Sequence, residues 1–144
     1  MGTRSRIGIE NQDGTITSVY CHWDGYPSYN GRMLLENYNT EEKIRELLSY
    51  GDMSSLSVHI GVQHPFDPPF SVGTPEHKEF RKMCTFYGRD RGEENVDARV
   101  HPTINDFMYH GEEYNYLFKD GAWRMHYDSD EWVALTEENT RTPG

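Results

Sequence analysis

Cysteine occurs only twice, at Cys21 and Cys84. That is too few for a disulfide framework or a thiolate-rich zinc site, so both are expected as reduced, buried thiols with no redox role. No stretch approaches the roughly 18 apolar residues that cross a bilayer, and residues 1–10 hold no apolar run of signal-peptide length. The expectation is a cytoplasmic protein that does not engage membranes. Positive charge is scarce: 14 basic residues face 24 acidic ones, a net charge of -10. This opposes nonspecific attraction to nucleic acid, so direct nucleic-acid binding is not expected and a charged partner would be basic. The acidic residues are spread along the chain, the pattern of a solvated surface. Repeats, low-complexity tracts, H-E-x-x-H, a Walker loop, a dinucleotide fingerprint, a Cys-x-x-Cys pair, a nucleophile elbow and a Ser-His-Asp ordering are all missing. Covalent catalysis therefore has no positive support, and no cofactor, metal or catalytic residue is assigned.

What is present suffices for one folded domain. Over 144 residues the hydrophobic fraction is only 35%, but 10 Tyr, 6 Phe and 3 Trp supply large apolar area per residue, enough for a core. Ser5 to Glu10 and Thr15 to Trp23 alternate as strands. In the second, Val19, Cys21 and Trp23 share one face, and Ile16, Tyr20 and His22 the other. Asp13-Gly14 between them predicts an antiparallel hairpin. A short helix is predicted over 32–38. A second begins at the cap Thr40, carries Ile44, Leu47 and Leu48 as an apolar stripe, and ends at Gly51; both should pack on one sheet face. Ser55 to Val62 alternates as a third strand, with His59 pointing away from the core. Four of the seven prolines fall in 63–75 and predict a long surface excursion. A helical turn over 76–82, a strand over 83–87, a charged loop from Gly88 and a helix capped by Thr103 follow. A second hairpin, 114–118 with 122–127, turns at Asp120-Gly121. Residues 128–144 read as a loosely ordered tail in which Trp132, Val133 and Leu135 can dock. The fold class is α+β: an antiparallel or mixed sheet of about five strands, with two or three helices mainly on one face.

Three segments can carry chemistry. Tyr20-Cys-His-Trp-Asp-Gly-Tyr-Pro27 places His22, Trp23, Asp24 and Tyr26 at a strand end. An imidazole and a carboxylate two positions apart can pair as base and orienter or share a metal, given a third group, for which His59, His64, His101 and His110 are available. The alternative is structural: Cys21 and Trp23 in the core, Asp24 bonding turn amides and His22 at the surface. Tyr87-Gly-Arg-Asp-Arg-Gly-Glu93 can hold an anion between Arg89 and Arg91 with Tyr87 stacking on a base, or close on itself through Asp90 and Glu93. His64, Phe66 and Phe70 in the proline-rich excursion suit a protein contact or a lid, or tuck into the core.

Gly2-Thr-Arg-Ser5, Asp13-Gly-Thr15, the Tyr20 to Pro27 segment with Gly31 and Leu34-Leu35, Gly51-Asp52, the Tyr87 to Glu93 loop and the Tyr114 to Trp123 hairpin together resemble a family of small tailed-bacteriophage and prophage proteins. The resemblance covers most of the chain. It implies a phage accessory gene product in the host cytoplasm, and no activity or functional residue comes with it. Two functions are in view. The first is a noncatalytic binding protein that counters a host defence system by occupying a host protein. The second is a sponge or phosphoesterase for a nucleotide or other phosphorylated small molecule, which requires His22, Asp24, Tyr26, Arg89 and Arg91 to converge. A structural virion component is a third, less supported by this sequence because it has no heptads or assembly arm.

Overall fold

The computed structural model describes residues 3–63, 73–127 and 131–141. Strands β1 (Ser5–Glu10) and β2 (Ile16–Cys21) form the first hairpin, in register from Ser5 opposite Cys21 to Glu10 opposite Ile16. The Asp13 carboxylate closes its turn, accepting from the Thr15 backbone N–H at 3.0 Å and the Thr15 hydroxyl at 2.6 Å. A single π turn over Pro27–Gly31 leads into α1 (Arg32–Asn37). Helix α2 (Glu41–Ser49) starts where the Thr40 hydroxyl accepts from the Lys43 N–H, and Gly51 ends it at φ +80°. Its stripe of Ile44, Leu47 and Leu48 packs with Leu34 of α1 on Ile7, Ile9 and Val19, so both helices share one face as expected. Burying each of these side chains stabilises the fold by about 1.5–3 kcal/mol.

Strand β3 (Met53–Ser55) lies earlier and is shorter than the alternation of 55–62 predicts. Leu56 is buried and His59 exposed as read, but only His59 keeps a bridge, to Met83. The prolines of the excursion and His64, Phe66 and Phe70 lie outside the described residues, Pro75 apart. Helix α3 (Pro75–Arg81) and β4 (Thr85–Phe86) follow. The segment read as a charged loop instead winds into α4 (Tyr87–Arg91), because Gly92 at φ +75° closes it as a left-handed cap. Strand β5 (Arg99–His101) was not foreseen. Helix α5 (Ile104–Tyr109) is capped by the Thr103 hydroxyl, which accepts from the Asp106 N–H. Strands β6 (Tyr114–Lys119) and β7 (Ala122–His126) are the second hairpin, and β8 (Val133–Ala134) pairs with β7.

The result is α+β, with eight strands rather than five and five α-helices among the described residues. The order β4-β3-β2-β1-β6-β7-β8 makes a mixed sheet, because β1 runs parallel to β6 and joins the two hairpins. Two strands share the far edge of β2: β5 lies antiparallel to Ile16–Ser18, and β3 runs parallel at Cys21. The Asp52 carboxylate serves the gap between them by accepting from the Tyr20 N–H at 2.9 Å. On the face opposite α1 and α2, Ile16, Phe107 and Leu117 form a second, smaller core beneath α5. Among the described residues no helix is long and apolar enough to cross a membrane.

Neither cysteine is in a disulfide, and both are fully buried. Burial pushes the Cys21 thiol up to about 12 and raises that of Cys84 as well. The native protein is therefore expected to give no reaction with Ellman's reagent at mildly alkaline pH, and to titrate both thiols once unfolded in guanidinium. Rapid native labelling at either cysteine would overturn this placement.

Candidate functional site

The segment after β2 is held from every side. Past Cys21, the His22 and Trp23 N–H groups donate to the Met53 and Ser54 carbonyls, carrying the pairing with β3 beyond the strand end. Asp24 then turns the chain at φ +58°, and the Gly25 N–H donates to the Thr3 carbonyl at 2.7 Å. Glycine is needed there, since a Cβ would stand 2.8 Å from the Arg4 backbone. The Tyr116 hydroxyl, buried in the core, donates to the Gly25 carbonyl at 2.6 Å. Asn30 donates through its backbone to the Asp24 carbonyl and through its side chain to the Trp23 carbonyl and to Ser5.

On this pinned loop two large aromatic side chains face outward, Trp23 at 43% and Tyr26 at 37% exposure. The structural alternative for the segment is thus corrected at Trp23, which is exposed while Cys21 is core. Asp24 also differs from that reading: its carboxylate receives the Tyr26 hydroxyl at 3.0 Å. His22 is half-buried. It shares a 2.6 Å hydrogen bond with the Tyr20 hydroxyl through Nδ1 and stands edge-on to Trp23 with ring centroids 4.7 Å apart.

The Arg89 guanidinium turns inward. It donates to the Asp90 carboxylate at 3.0 Å, the Ile60 carbonyl at 2.9 Å and the Cys84 carbonyl at 3.0 Å, and it stacks over Phe86 and Tyr50. Arg91 lies at the surface 3.7 Å from Glu93. The segment closes on itself through these acidic partners, by the second of its two sequence readings. Phe86 belongs to the core on the helix-covered face, and Arg89 stacks on it there. His22 follows Cys21 in the alternation and so lies on the opposite side. Of the five groups named for a phosphorylated ligand, Arg89 has its guanidinium engaged by the protein's own acceptors.

A different cluster assembles on the face of α5. Arg6 of β1, Ser18 of β2 and His101 of β5 are neighbours across the sheet, and a chain of polar contacts runs through them. Arg6 Nη1 donates to Ser18 Oγ at 2.9 Å, Ser18 Oγ meets His101 Nε2 at 2.7 Å, and His101 Nδ1 meets Asp106 Oδ1 at 2.8 Å. Arginine only donates, and an ionised carboxylate only accepts. The Ser18 hydroxyl therefore donates to Nε2, and Nδ1–H donates to Asp106. His110, one turn along α5, brings its Nδ1 to 3.4 Å from the same carboxylate oxygen and 3.0 Å from the Asp106 carbonyl.

Burial holds the His101 imidazole below its ordinary value, while its hydrogen bond to Asp106 pulls the other way. That same bond lowers the Asp106 carboxyl. The relay Ser18–His101–Asp106 corrects the expectation that no Ser-His-Asp ordering occurs, but Ser18 is wholly buried and its oxygen is engaged by Arg6. No substrate carbonyl can reach it in this state. A cavity of about 330 Å³ opens over the other end, lined by Arg99, Val100, His101, Asp106 and His110. Sequence reasoning named His101 and His110 only as spare imidazoles. The usable signal was Asp106 and His110 four apart on a capped helix, which places them on one face.

In comparisons with known proteins, no family model matches this chain, no curated protein matches it, and no solved structure matches it.

Proposed function

We propose that this chain is a noncatalytic binding protein that works by occupying a basic protein of a bacterial host, as a phage accessory product in the host cytoplasm would to counter a defence system. The observation that carries the reading is the display of Trp23 and Tyr26 on a loop fixed by backbone and core hydrogen bonds. Binding energy at protein interfaces concentrates in such aromatics, and a loop already ordered loses little freedom on association. The net charge of -10 adds steering towards a basic surface. The phosphorylated-ligand alternative is weakened because Arg89 is consumed inside the fold.

The test is capture from bacterial host lysate at low salt, followed by affinity measurement with the recovered protein. Trp23→Ala and Tyr26→Ala are each expected to weaken binding by about 2 kcal/mol, roughly thirtyfold, with the melting temperature unchanged. Association should slow as salt is raised. Both variants binding as tightly as the parent chain would remove this loop as the contact surface, and no partner above background would remove the reading itself.

A further inference from the structure

We infer that His101, Asp106 and His110 form a mononuclear site for a divalent transition-metal cation of the zinc kind, with one coordination position facing the cavity beside β5. The inference is independent of the proposed protein contact, which lies on other residues.

Two imidazoles and a carboxylate are a donor set that zinc takes when it keeps a further position for water or substrate. One potential ligand atom from each residue lies within 4.8 Å of the others. Bonds of 2.0–2.1 Å at tetrahedral angles put ligand atoms about 3.3 Å apart. The Asp106 oxygen already stands 2.8 Å from His101 Nδ1 and 3.4 Å from His110 Nδ1, so small side-chain movements would seat the cation.

The residues behind the ligands also fit. A ligating histidine ordinarily donates its other ring N–H to a fixed acceptor, which sets its tautomer. With Nδ1 on the metal, the His101 proton resides on Nε2, 2.7 Å from Ser18 Oγ. That oxygen has two lone pairs and can accept from His101 and Arg6 together. Ser18 and Arg6 are both buried, and a buried shell of this kind holds a ligand in place before the ion arrives. On the open side Arg99 lines the cavity. Its charge opposes a bare cation and favours one that carries an anionic ligand, a phosphate or carboxylate oxygen, in the free position.

The test is a titration of the chelator-treated, tag-free full chain with Zn²⁺ by calorimetry, and with Co²⁺ by visible absorption. The expected result is saturation near one equivalent, with the ligand-field bands of nitrogen- and oxygen-coordinated Co²⁺ and a raised melting temperature. The His110 side chain is 43% exposed, so His110→Ala should keep the fold. His110→Ala and Asp106→Asn are each expected to weaken Zn²⁺ binding about tenfold or more, with His22→Ala and His59→Ala within about twofold of the parent chain. Absence of saturable binding, or binding that ignores His110→Ala and Asp106→Asn, overturns the site.

Discussion

Replacing Gly51 by alanine is expected to cost about 3 kcal/mol or more, one of the largest single-methyl effects available in this chain. Two causes add. Gly51 sits at φ +80°, where a side chain is strained, and its Cβ would press into the carbonyl oxygen of Val96, a backbone atom rather than a flexible side-chain tip. Val96 cannot simply withdraw, because the same oxygen accepts the Asp52 N–H at 2.7 Å. Asp52 in turn accepts from Tyr20 at the β2 edge, so the strain reaches the joint between β5 and β3. Gly14→Ala separates the causes. Its φ is +87° but nothing lies within 4 Å of the added methyl, so only the conformational cost of about 1 kcal/mol applies. Urea or guanidinium denaturation measures both. Equal losses for the two variants would mean that the crossing of residues 95–97 over the end of α2 contributes nothing.

That crossing also marks where sequence reasoning stops. Both hairpins were legible because period-two alternation and an Asp-Gly turn are local signals, and α2 was legible because its cap, stripe and terminating glycine agree. The parallel pairing of β1 with β6 brings together segments more than a hundred residues apart, and neither strand carries a mark of its partner. Strand β5 has three residues, two of them exposed, too short and too polar to alternate visibly. The alternation Leu56, Val58, Ile60 misled: Leu56 is buried, but so is Ser57 from the supposed outer face, and Val58 is only half-buried, because the backbone there has left regular pairing. Two glycines disguised α4 as a loop. The His101 cluster was hidden for the same reason as β5: Ser18 and His101 meet only because β5 docks on β2, 83 positions away in sequence.

Arg89 shows how the same residue type can read as a ligand clamp and serve as a joint. Its side chain is 11% exposed, and that of Asp90 is fully buried. Arg89→Ala would strip the donor from the Ile60 and Cys84 carbonyls and the cation from beside the Asp90 carboxylate, whose other oxygen accepts from the Phe86 N–H at 2.8 Å. Removing one partner of a buried pair leaves the other desolvated, so the expected loss is about 3–5 kcal/mol. Arg89→Lys retains the charge but lacks the planar fork that reaches three acceptors while lying over Phe86 and Tyr50, and should recover only a minor part. By contrast Arg91→Ala, removing an exposed 3.7 Å pair with Glu93, should cost less than about 1 kcal/mol. Chemical denaturation of the three variants ranks them directly. If Arg89→Ala matched Arg91→Ala in stability, the guanidinium would be free for a ligand and the nucleotide reading of the Tyr87 to Glu93 segment would return. The predicted gap would fix Arg89 as the tie between α4, β4 and the chain around Ile60.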